Sequence, residues 1–569
     1  MNRFRRLGRL GGSPVAWSAT AVFLTLLVVW SMITPGFRSP DEPQHVNSVL
    51  RIAEGGGWPA PTRARLTEHV IRAKTLTGFS AVDGQGGNWA GGTLLPGVRP
   101  QFKPSELKYF ALFSGQPVTP EADRLPFDDL TVTRPVDVNA YGDQMTQHPP
   151  LYYAGSAGVV LGLGALNWPF DQALELMRLV SVALVGLLPL MAFSVTRRLT
   201  GNRQLADLAA VLPLAIPQLA SIGSSVSNDA LVIFFGGLSA VLLAKVLCGD
   251  RSWRTLLSIA VVLGLALLTK ATLLVLVPVT GLALIVGARR SAGAAPLGWP
   301  AVLGRLAAVW GIAFVIGGWW WALNLVRYGM LQPQGLPGAT DPSRGVGKAK
   351  LSVLSYFGRW WQDLATSFWG RFGWLEFSID HAVVLVLTAV LTLSALLAFR
   401  RRGVQVPLLV LLSAFALTAG LLFDTTYTSH LATGAFGGIQ GRYLFGALVP
   451  VIAAAAIGPG SLVRDGGRLQ RWLPTLALPF VLAGAAYGLW VGFLGFYLDV
   501  GWTLGGAWYR MVAWSPFPGW AAAGLILGLV LLSVATFAVS VRSALRPPTD
   551  ASAEPGRMPQ PEETAVPAS

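Results

Sequence analysis

The stretch that decides the fold class is PVAWSATAVFLTLLVVWSMIT, residues 14–34. It carries no charged side chain, and as a helix it is long enough to cross the roughly 30 Å hydrocarbon core of a bilayer. Similar runs recur along a chain of 569 residues that is 53% hydrophobic and only 12% charged, about half the charged share of a soluble domain. This composition predicts an all-α polytopic membrane protein. It excludes a soluble enzyme, a secreted disulfide scaffold and a disordered protein.

The placement of the basic residues predicts the orientation. The net charge is +15, and many Lys and Arg residues lie at the N-terminus or in short loops that fall on one side of the membrane. The positive-inside rule explains this pattern, so the charge implies no nucleic-acid partner. The rule is satisfied if segment 151–168, which is glycine-rich and flanked by prolines, dips into the membrane without crossing it. We then expect about 12 transmembrane helices, with both termini in the cytoplasm.

The predicted organisation has six parts. They are a basic cytoplasmic N-terminus (1–13), a first transmembrane helix (14–34), a large ordered extracytoplasmic loop with re-entrant or juxtamembrane helices (35–178), a transmembrane core with an outer loop at 323–381 (179–457), two C-terminal transmembrane helices (458–540) and a disordered cytoplasmic tail (541–569). The predicted spans are 14–34, 179–196, 204–222, 229–247, 255–269, 271–287, 303–322, 382–399, 405–422, 443–457, 473–497 and 518–540.

The polar motifs collect on the side opposite to the basic loops, and we expect any chemistry there. The first motif is SPDEPQH, residues 39–45, directly after the first span. A purely structural interpretation is a capping box from Ser39 to Glu42, which would begin a helix. The functional interpretation makes Asp41 or Glu42 a base that takes a proton from a hydroxyl acceptor. His45 lies four residues after Asp41, on the same helix face, and would orient the base or bind substrate.

Two cations occupy positions that the positive-inside rule does not explain. Lys270 is the one charged residue in 255–286, and the apolar helix on either side of it is shorter than a bilayer is thick, so it is expected in a recess. Arg442 opens another span from the outer side, within the motif QGRY. An ammonium and a guanidinium in such places suit a phosphate. The structural alternatives are a lysine that snorkels to the interface and an arginine paired with Asp424 or a loop acid.

The order of these motifs resembles that of the GT-C superfamily of membrane glycosyltransferases, which includes protein O-mannosyltransferases and lipid A aminoarabinose transferases. The similarity is closer to a bacterial, often actinobacterial, branch catalogued as a domain of unknown function, and it covers about residues 15–460. The motifs that carry it are Pro40-Asp-Glu-Pro-Gln-His45, His148-Pro-Pro-Leu-Tyr-Tyr153, Ser227-Asn-Asp-Ala230, Leu268-Thr-Lys270, Ser367-Phe-Trp-Gly-Arg-Phe-Gly-Trp374 and Gln440-Gly-Arg-Tyr443.

The resemblance implies a reaction at the extracytoplasmic face of the plasma membrane. GT-C enzymes transfer a sugar from a polyprenyl-phosphate carrier to a glycan, lipid or protein acceptor. By this resemblance Asp41 is the catalytic base, with Glu42 as the alternate, and Lys270 and Arg442 hold the donor phosphate. The other substrate-binding candidates are His45, His148, Tyr152, Asn228, Asp229, Trp369, Gln440 and Tyr443.

Three questions stay open at the level of the sequence. Asp143, near His148, is the candidate for a second acid in the first loop. Some superfamily members use a divalent metal, although no metal ligands are predicted here. The competing functions are a transporter or flippase of lipid-linked saccharides and a noncatalytic partner in the assembly of envelope polysaccharide.

Overall fold

The computed structural model describes residues 13–77, 119–130, 141–289, 295–336, 350–498 and 503–546. In these ranges the chain forms twenty α-helices, several short 3₁₀ turns and one small hairpin, in which β1 (Arg371–Phe372) pairs antiparallel with β2 (Phe377–Ser378). The helices are α1 (Pro14–Ile33), α2 (Glu42–Ala53), α3 (Glu68–Leu76), α4 (Leu151–Gly162), α5 (Phe170–Val185), α6 (Leu188–Thr200), α7 (Arg203–Val211), α8 (Pro217–Gly223), α9 (Asp229–Leu247), α10 (Trp253–Leu267), α11 (Leu276–Arg289), α12 (Trp299–Ala313), α13 (Trp319–Tyr328), α14 (Val353–Trp369), α15 (His381–Leu397), α16 (Gln405–Thr433), α17 (Leu448–Gly460), α18 (Arg468–Tyr497), α19 (Leu504–Trp514) and α20 (Gly519–Leu545).

The membrane class is confirmed. Ten helical segments within the described ranges are long and apolar enough to cross a bilayer, or eleven if Arg203–Ala215 and Pro217–Gly223, which meet at a bend of 73°, count as one broken span. Every predicted span falls on helical structure, although 179–196, 204–222 and 303–322 each extend over two α-helices. Two predicted spans account for the difference between ten and the expected 12. The span 204–222 is broken at the bend, and α10 has only 15 residues and is therefore about 22 Å long, short of a full crossing.

Other boundaries follow from where the helices end. Helix α4 has 12 residues, or about 18 Å, so the segment predicted to dip contains a helix shorter than the bilayer. The predicted outer loop 323–381 holds a helix of its own, α14. Helix α20 continues to Leu545, because its apolar residues run past the predicted start of the tail at 541. Residues 1–12, 78–118, 131–140 and 547–569 lie outside the described ranges, and with them the middle of the predicted large loop and most of the predicted tail.

Glycines allow the helices that matter for function to pack backbone against backbone. A Cβ atom on Gly236 of α9 would lie 1.8 Å from the carbonyl oxygen of Gly446. A Cβ on Gly441 would lie 2.3 Å from the backbone nitrogen of Phe368, at the end of α14. Small residues at helix interfaces permit this close approach in membrane proteins. The 3₁₀ segment Gly441–Ala447 is therefore held between α9 and α14.

Candidate functional site

Four charged side chains from distant parts of the chain meet at one end of the helix bundle. Asp41 directly precedes α2, and Asp229 is the first residue of α9. Lys270 lies in the turn that follows α10. Arg442 lies in the 3₁₀ segment before α17. All four are therefore at the ends of helices rather than in their middles.

These four side chains form a continuous ion chain. Arg442 Nη2 lies 2.7 Å from Asp41 Oδ2, and Arg442 Nε lies 3.5 Å from Asp229 Oδ2. Lys270 Nζ lies 2.7 Å from Asp229 Oδ1. The side chains of Asp229 and Arg442 are 3% exposed, Lys270 is 12% exposed and Asp41 is 14% exposed. The formal charges sum to zero, so a cluster of buried ions is compensated from within.

The ion chain decides between the alternatives for the two cations. Lys270 is mostly buried and bound to Asp229, which agrees with the expected recess and not with the alternative of a snorkelling lysine. Arg442 is paired not with Asp424 but with Asp229 and with Asp41, an acid of the predicted outer loop, as the structural alternative of a loop-acid partner anticipated. The ring of Tyr443 lies near both, with Lys270 Nζ 5.1 Å and Arg442 Cζ 5.4 Å from its centroid. Both distances are typical of cation–π interactions, and these interactions stabilise the two cations.

Asp41 has an unusual backbone conformation. Its φ is 62°, in the left-handed region that Asp tolerates better than most residues. It stands at the N-cap position of α2, yet its side chain makes no capping hydrogen bond. Instead, Oδ1 accepts a 3.0 Å hydrogen bond from Gln144 Nε2, while Oδ2 accepts from Arg442. The predicted capping box from Ser39 to Glu42 is wrong, because the helix begins only at Glu42 and the Glu42 carboxylate binds Arg178 instead.

Glu42 points away from this cluster and serves another purpose. It is fully buried, and its two oxygens accept from Arg178 Nε at 2.8 Å and Nη2 at 2.7 Å. The same guanidinium donates to the carbonyls of Ser31, Thr34 and Pro35 at the end of α1. A bidentate pair with this many further partners is a structural clamp. Of the two predicted acids, Asp41 is the one with an exposed surface.

Two of the five histidines lie beside the ion chain. His45 is buried, and its Nδ1 is 3.0 Å from the hydroxyl of Tyr153. Burial, and then the positive charge of Lys270, hold its pKa well below the usual value. Burial and the charges of Lys270 and Arg442 lower the pKa of His148 to about 3. Both imidazoles are therefore neutral at physiological pH.

Two aromatic candidates have their polar atoms occupied within the protein. The Tyr152 hydroxyl lies 2.8 Å from Ser181 Oγ and accepts from the backbone N–H of Ser227 at 3.1 Å. The indole N–H of Trp369 donates to Thr388 at 2.8 Å. Their positions in the motifs are explained by packing between helices, because an aromatic ring with a polar tip needs an internal partner when it is buried.

Two further predicted residues, Asn228 and Gln440, have buried side-chain atoms without a hydrogen-bond partner among the described residues. Asn228 is fully buried, and neither its amide oxygen nor its amide nitrogen has a hydrogen-bond partner among the described residues. The buried Oε1 of Gln440 is likewise unpaired within those ranges. Both residues adjoin the ion chain, since Asn228 precedes Asp229 and Gln440 precedes the Gly441–Arg442 pair.

Asp143, the candidate second acid, has a positioning role. It is fully buried and accepts from Asn47 at 2.7 Å, Ser48 at 3.0 Å and Arg51 at 3.1 Å, while burial raises its pKa. These bonds fix the short 3₁₀ segment that carries Gln144. Gln144 was not among the predicted site residues, and its only signal in the sequence was its place between Asp143 and His148. Among the described residues, no group of three or more His, Cys, Asp or Glu side chains is arranged to hold a metal.

The fold and the site define a polytopic membrane protein with a buried, charge-balanced cluster at one end of its helices. The chain belongs to the DUF2142 family of predicted membrane proteins, whose model matches residues 24–452. The predicted resemblance to a family catalogued as a domain of unknown function is thereby confirmed. No curated protein sequence matches the chain.

Solved structures that the chain is similar to include ArnT from Cupriavidus metallidurans bound to undecaprenyl phosphate, with 15% identity, a TM-score of 0.40, and 94% of this chain and 78% of that chain covered. Another is the Pmt1–Pmt2 protein O-mannosyltransferase complex of S. cerevisiae bound to its sugar donor, with 21% identity, a TM-score of 0.27, and 35% and 30% covered. A third is the apo oligosaccharyltransferase of Archaeoglobus fulgidus, with 12% identity, a TM-score of 0.36, and 93% and 56% covered. These proteins are GT-C glycosyltransferases, the superfamily that the sequence resembles.

Proposed function

We propose that this protein is a membrane glycosyltransferase that moves a sugar from a polyprenyl-phosphate carrier to a hydroxyl of a glycan, lipid or protein acceptor. The observation that carries the proposal is the partly exposed carboxylate of Asp41. It is held by Gln144 and Arg442 at the end of the helices, where a lipid-borne sugar and a polar acceptor are both able to arrive. The motifs that carry the resemblance to the GT-C superfamily contribute all four members of the ion chain.

Asp41 acts as the general base in this proposal. Each of its oxygens accepts one hydrogen bond from the protein and keeps a further lone pair for the acceptor hydroxyl. The hydroxyl oxygen attacks the anomeric carbon while its proton passes to Asp41, and the bond from that carbon to the phosphate oxygen breaks. A single displacement inverts the anomeric centre. The leaving group is the polyprenyl phosphate.

Lys270 and Arg442 stabilise the leaving phosphate. Lys270 uses one of its three N–H donors on Asp229, so two remain for phosphate oxygens. Arg442 keeps N–H donors beyond the one that it gives to Asp41. Donors fixed in advance at the place where charge develops contribute most in a site with little water. A divalent metal is not required by this scheme, and its involvement stays an open prediction.

The extracytoplasmic face is the proposed side of the reaction. Ser13 caps the start of α1, and Arg203 donates to Ser13 Oγ at 3.2 Å, so this basic loop lies at the end of α1 opposite to Asp41. Arg401, in a second basic loop, pairs with Asp465 before the start of α16, whereas the site follows the end of that helix. The positive-inside rule assigns such loops to the cytoplasm.

A transporter or flippase is the second candidate, and one observation favours it. The bend of 73° between Arg203–Ala215 and Pro217–Gly223 is a broken helix, a common feature of transporter binding sites. Transporter sites lie near the middle of the membrane, whereas the ion chain of this protein lies at helix ends. We therefore prefer the enzyme.

The test compares envelope glycans by mass spectrometry in wild-type cells, a deletion strain and the deletion strain carrying variants. We expect the deletion strain to lose a glycosyl group and wild-type protein to restore it. Asp41→Asn should lower turnover by about two to four orders of magnitude, the usual contribution of a general base, and should not restore the group. Asp424→Asn, at an exposed carboxylate, is the matched control and should restore it. Full restoration by Asp41→Asn would refute the enzyme, and sugar-lipid transport by that variant in proteoliposomes would favour the flippase.

A further inference from the structure

Buried amide groups around the ion chain have unused hydrogen-bonding capacity. Four side-chain atoms have no partner within the described residues: both polar atoms of Asn228, Oε1 of Gln440 and Oε1 of Gln144. Nδ1 of His148 is in the same state. Buried polar groups are nearly always paired in native proteins, so several unpaired groups in one place indicate a ligand that supplies the missing partners. Asn228 makes the strongest case because it is completely buried.

The three amide residues are each linked to a member of the ion chain, by a hydrogen bond or by their place in the sequence. Gln144 is bonded to Asp41, and Asn228 is next to Asp229 in the chain. Gln440 is two residues before Arg442. Each of the three amide residues is thus a hydrogen-bond partner or a near neighbour in the chain of a residue that Arg442 joins, or of Arg442 itself.

The orientation of the amides shows which chemistry is missing. The amide N–H of Gln144 donates to the Asp41 carboxylate, which can only accept a hydrogen bond. The unpaired atom of Gln144 is therefore its amide oxygen. Asn228 has both an acceptor and a donor unpaired, whichever way the amide is turned. An ionised phosphate has only acceptors and leaves the Gln144 oxygen unsatisfied. A hydroxyl group both donates and accepts, so a ligand with several hydroxyls matches the whole set.

We infer that Asn228, Gln144 and Gln440 form a hydroxyl-binding subsite that determines which sugar is transferred. This inference rests on the proposed function and adds the substrate class, a glycosyl group with free ring hydroxyls. The phosphate remains with Lys270 and Arg442. Sites built to bind a hydroxyl discriminate strongly against analogues that lack it, because their own polar groups are then left unpaired.

The experiment measures binding of farnesyl phosphate, of farnesyl phosphate linked to glucose, mannose or galactose, and of the monodeoxy counterparts, to the full-length protein in nanodiscs. We expect at least one hydroxyl whose removal weakens wild-type binding by about 10- to 100-fold, as for a buried hydrogen bond that is lost. Asn228→Ala should reduce this preference to less than about twofold, while the binding of sugar-free farnesyl phosphate stays unchanged. Gln440→Met gives a second measurement if Asn228→Ala does not fold. Gln405→Leu, at the opposite end of α16, is the matched control and should keep the full preference.

The outcomes separate this inference from the proposed function. If a sugar-linked lipid binds and its sugar is transferred, but the variants discriminate as well as wild type, the amides hold water only and the subsite is refuted while the enzyme stands. If sugar-linked and sugar-free lipids bind equally and no transfer occurs, both proposals fail. Loss of sugar-free lipid binding in Asn228→Ala would assign this residue to the phosphate and also refute the subsite.

Discussion

Asp229 is the member of the ion chain whose removal should cost the most stability. It lies 2.7 Å from Lys270 Nζ and 3.5 Å from Arg442 Nε, and its side chain is 3% exposed. At an effective dielectric constant of about 20, these contacts correspond to roughly 6 and 5 kcal/mol of attraction. Desolvation of the ions offsets much of this, and breaking a buried pair on one side typically costs about 3–5 kcal/mol. We therefore expect Asp229→Asn to lower the free energy of unfolding by about 3–5 kcal/mol.

The compensating variant tests the reason for this loss. Asp229→Asn combined with Lys270→Met removes one charge of each sign and leaves Asp41 paired with Arg442. The double variant should lose at least about 2 kcal/mol less than the sum of the two single variants, as expected for residues in contact. The measurement is unfolding by SDS in mixed micelles, followed by circular dichroism, with Asp424→Asn as the exposed control. Strict additivity of the two losses would refute the ion chain as an energetic unit.

Three further predictions concern pH, packing and topology. The pKa of His148 is lowered to about 3, so its contribution to stability is complete above the unfolded pKa of about 6.5 and is lost as the pH falls below that value. The free energy of unfolding should therefore drop by about 2 kcal/mol between pH 7.5 and 5. In His148→Gln, measured in the same way, this part of the drop should be absent. Gly441→Ala places a Cβ 2.3 Å from the backbone nitrogen of Phe368, so it should destabilise the protein by about 1–3 kcal/mol and lower its activity. A Cβ on Gly437 would meet no atom within 4 Å, so Gly437→Ala is the control and should change neither stability nor activity. Cys248, at the end of α9 away from the site, should react with an impermeant maleimide only after spheroplasts are permeabilised, and labelling of intact spheroplasts would reverse the proposed orientation.

The charged positions of the site were predictable because they conflict with their surroundings. Lys270 in an apolar stretch and Arg442 on the outer side of a span both needed a reason beyond the membrane rules. Their partners were not predictable in the same way. Asp41 and Arg442 are 401 residues apart in the chain, and the position of Asp229 between the two cations depends on how α9 packs against its neighbours. Local periodicity carries no information about such contacts.

Adjacent residues with the same chemistry show a second limit of prediction from the sequence, after the long-range contacts. Asp41 and Glu42 are equivalent in the sequence, but the left-handed turn at Asp41 sends one carboxylate into the ion chain and the other to Arg178. The number of full spans could have been corrected from the sequence. Helix α10 has 15 residues, as many as the predicted span 255–269, and a helix of that length is shorter than the bilayer.

The clamp between Glu42 and Arg178 also has a consequence for the order of membrane insertion. Arg178 follows Glu42 by 136 residues and supplies the donors that close the end of α1. While the chain is being synthesised, the turn that carries Asp41 has no such support until α5 has entered the membrane. The guanidinium of Arg442 arrives more than 260 residues after that. The contacts at the end of the first helix are therefore completed only when the later helices are in place. In a nascent chain released before residue 442, Asp41 lacks its cationic partner.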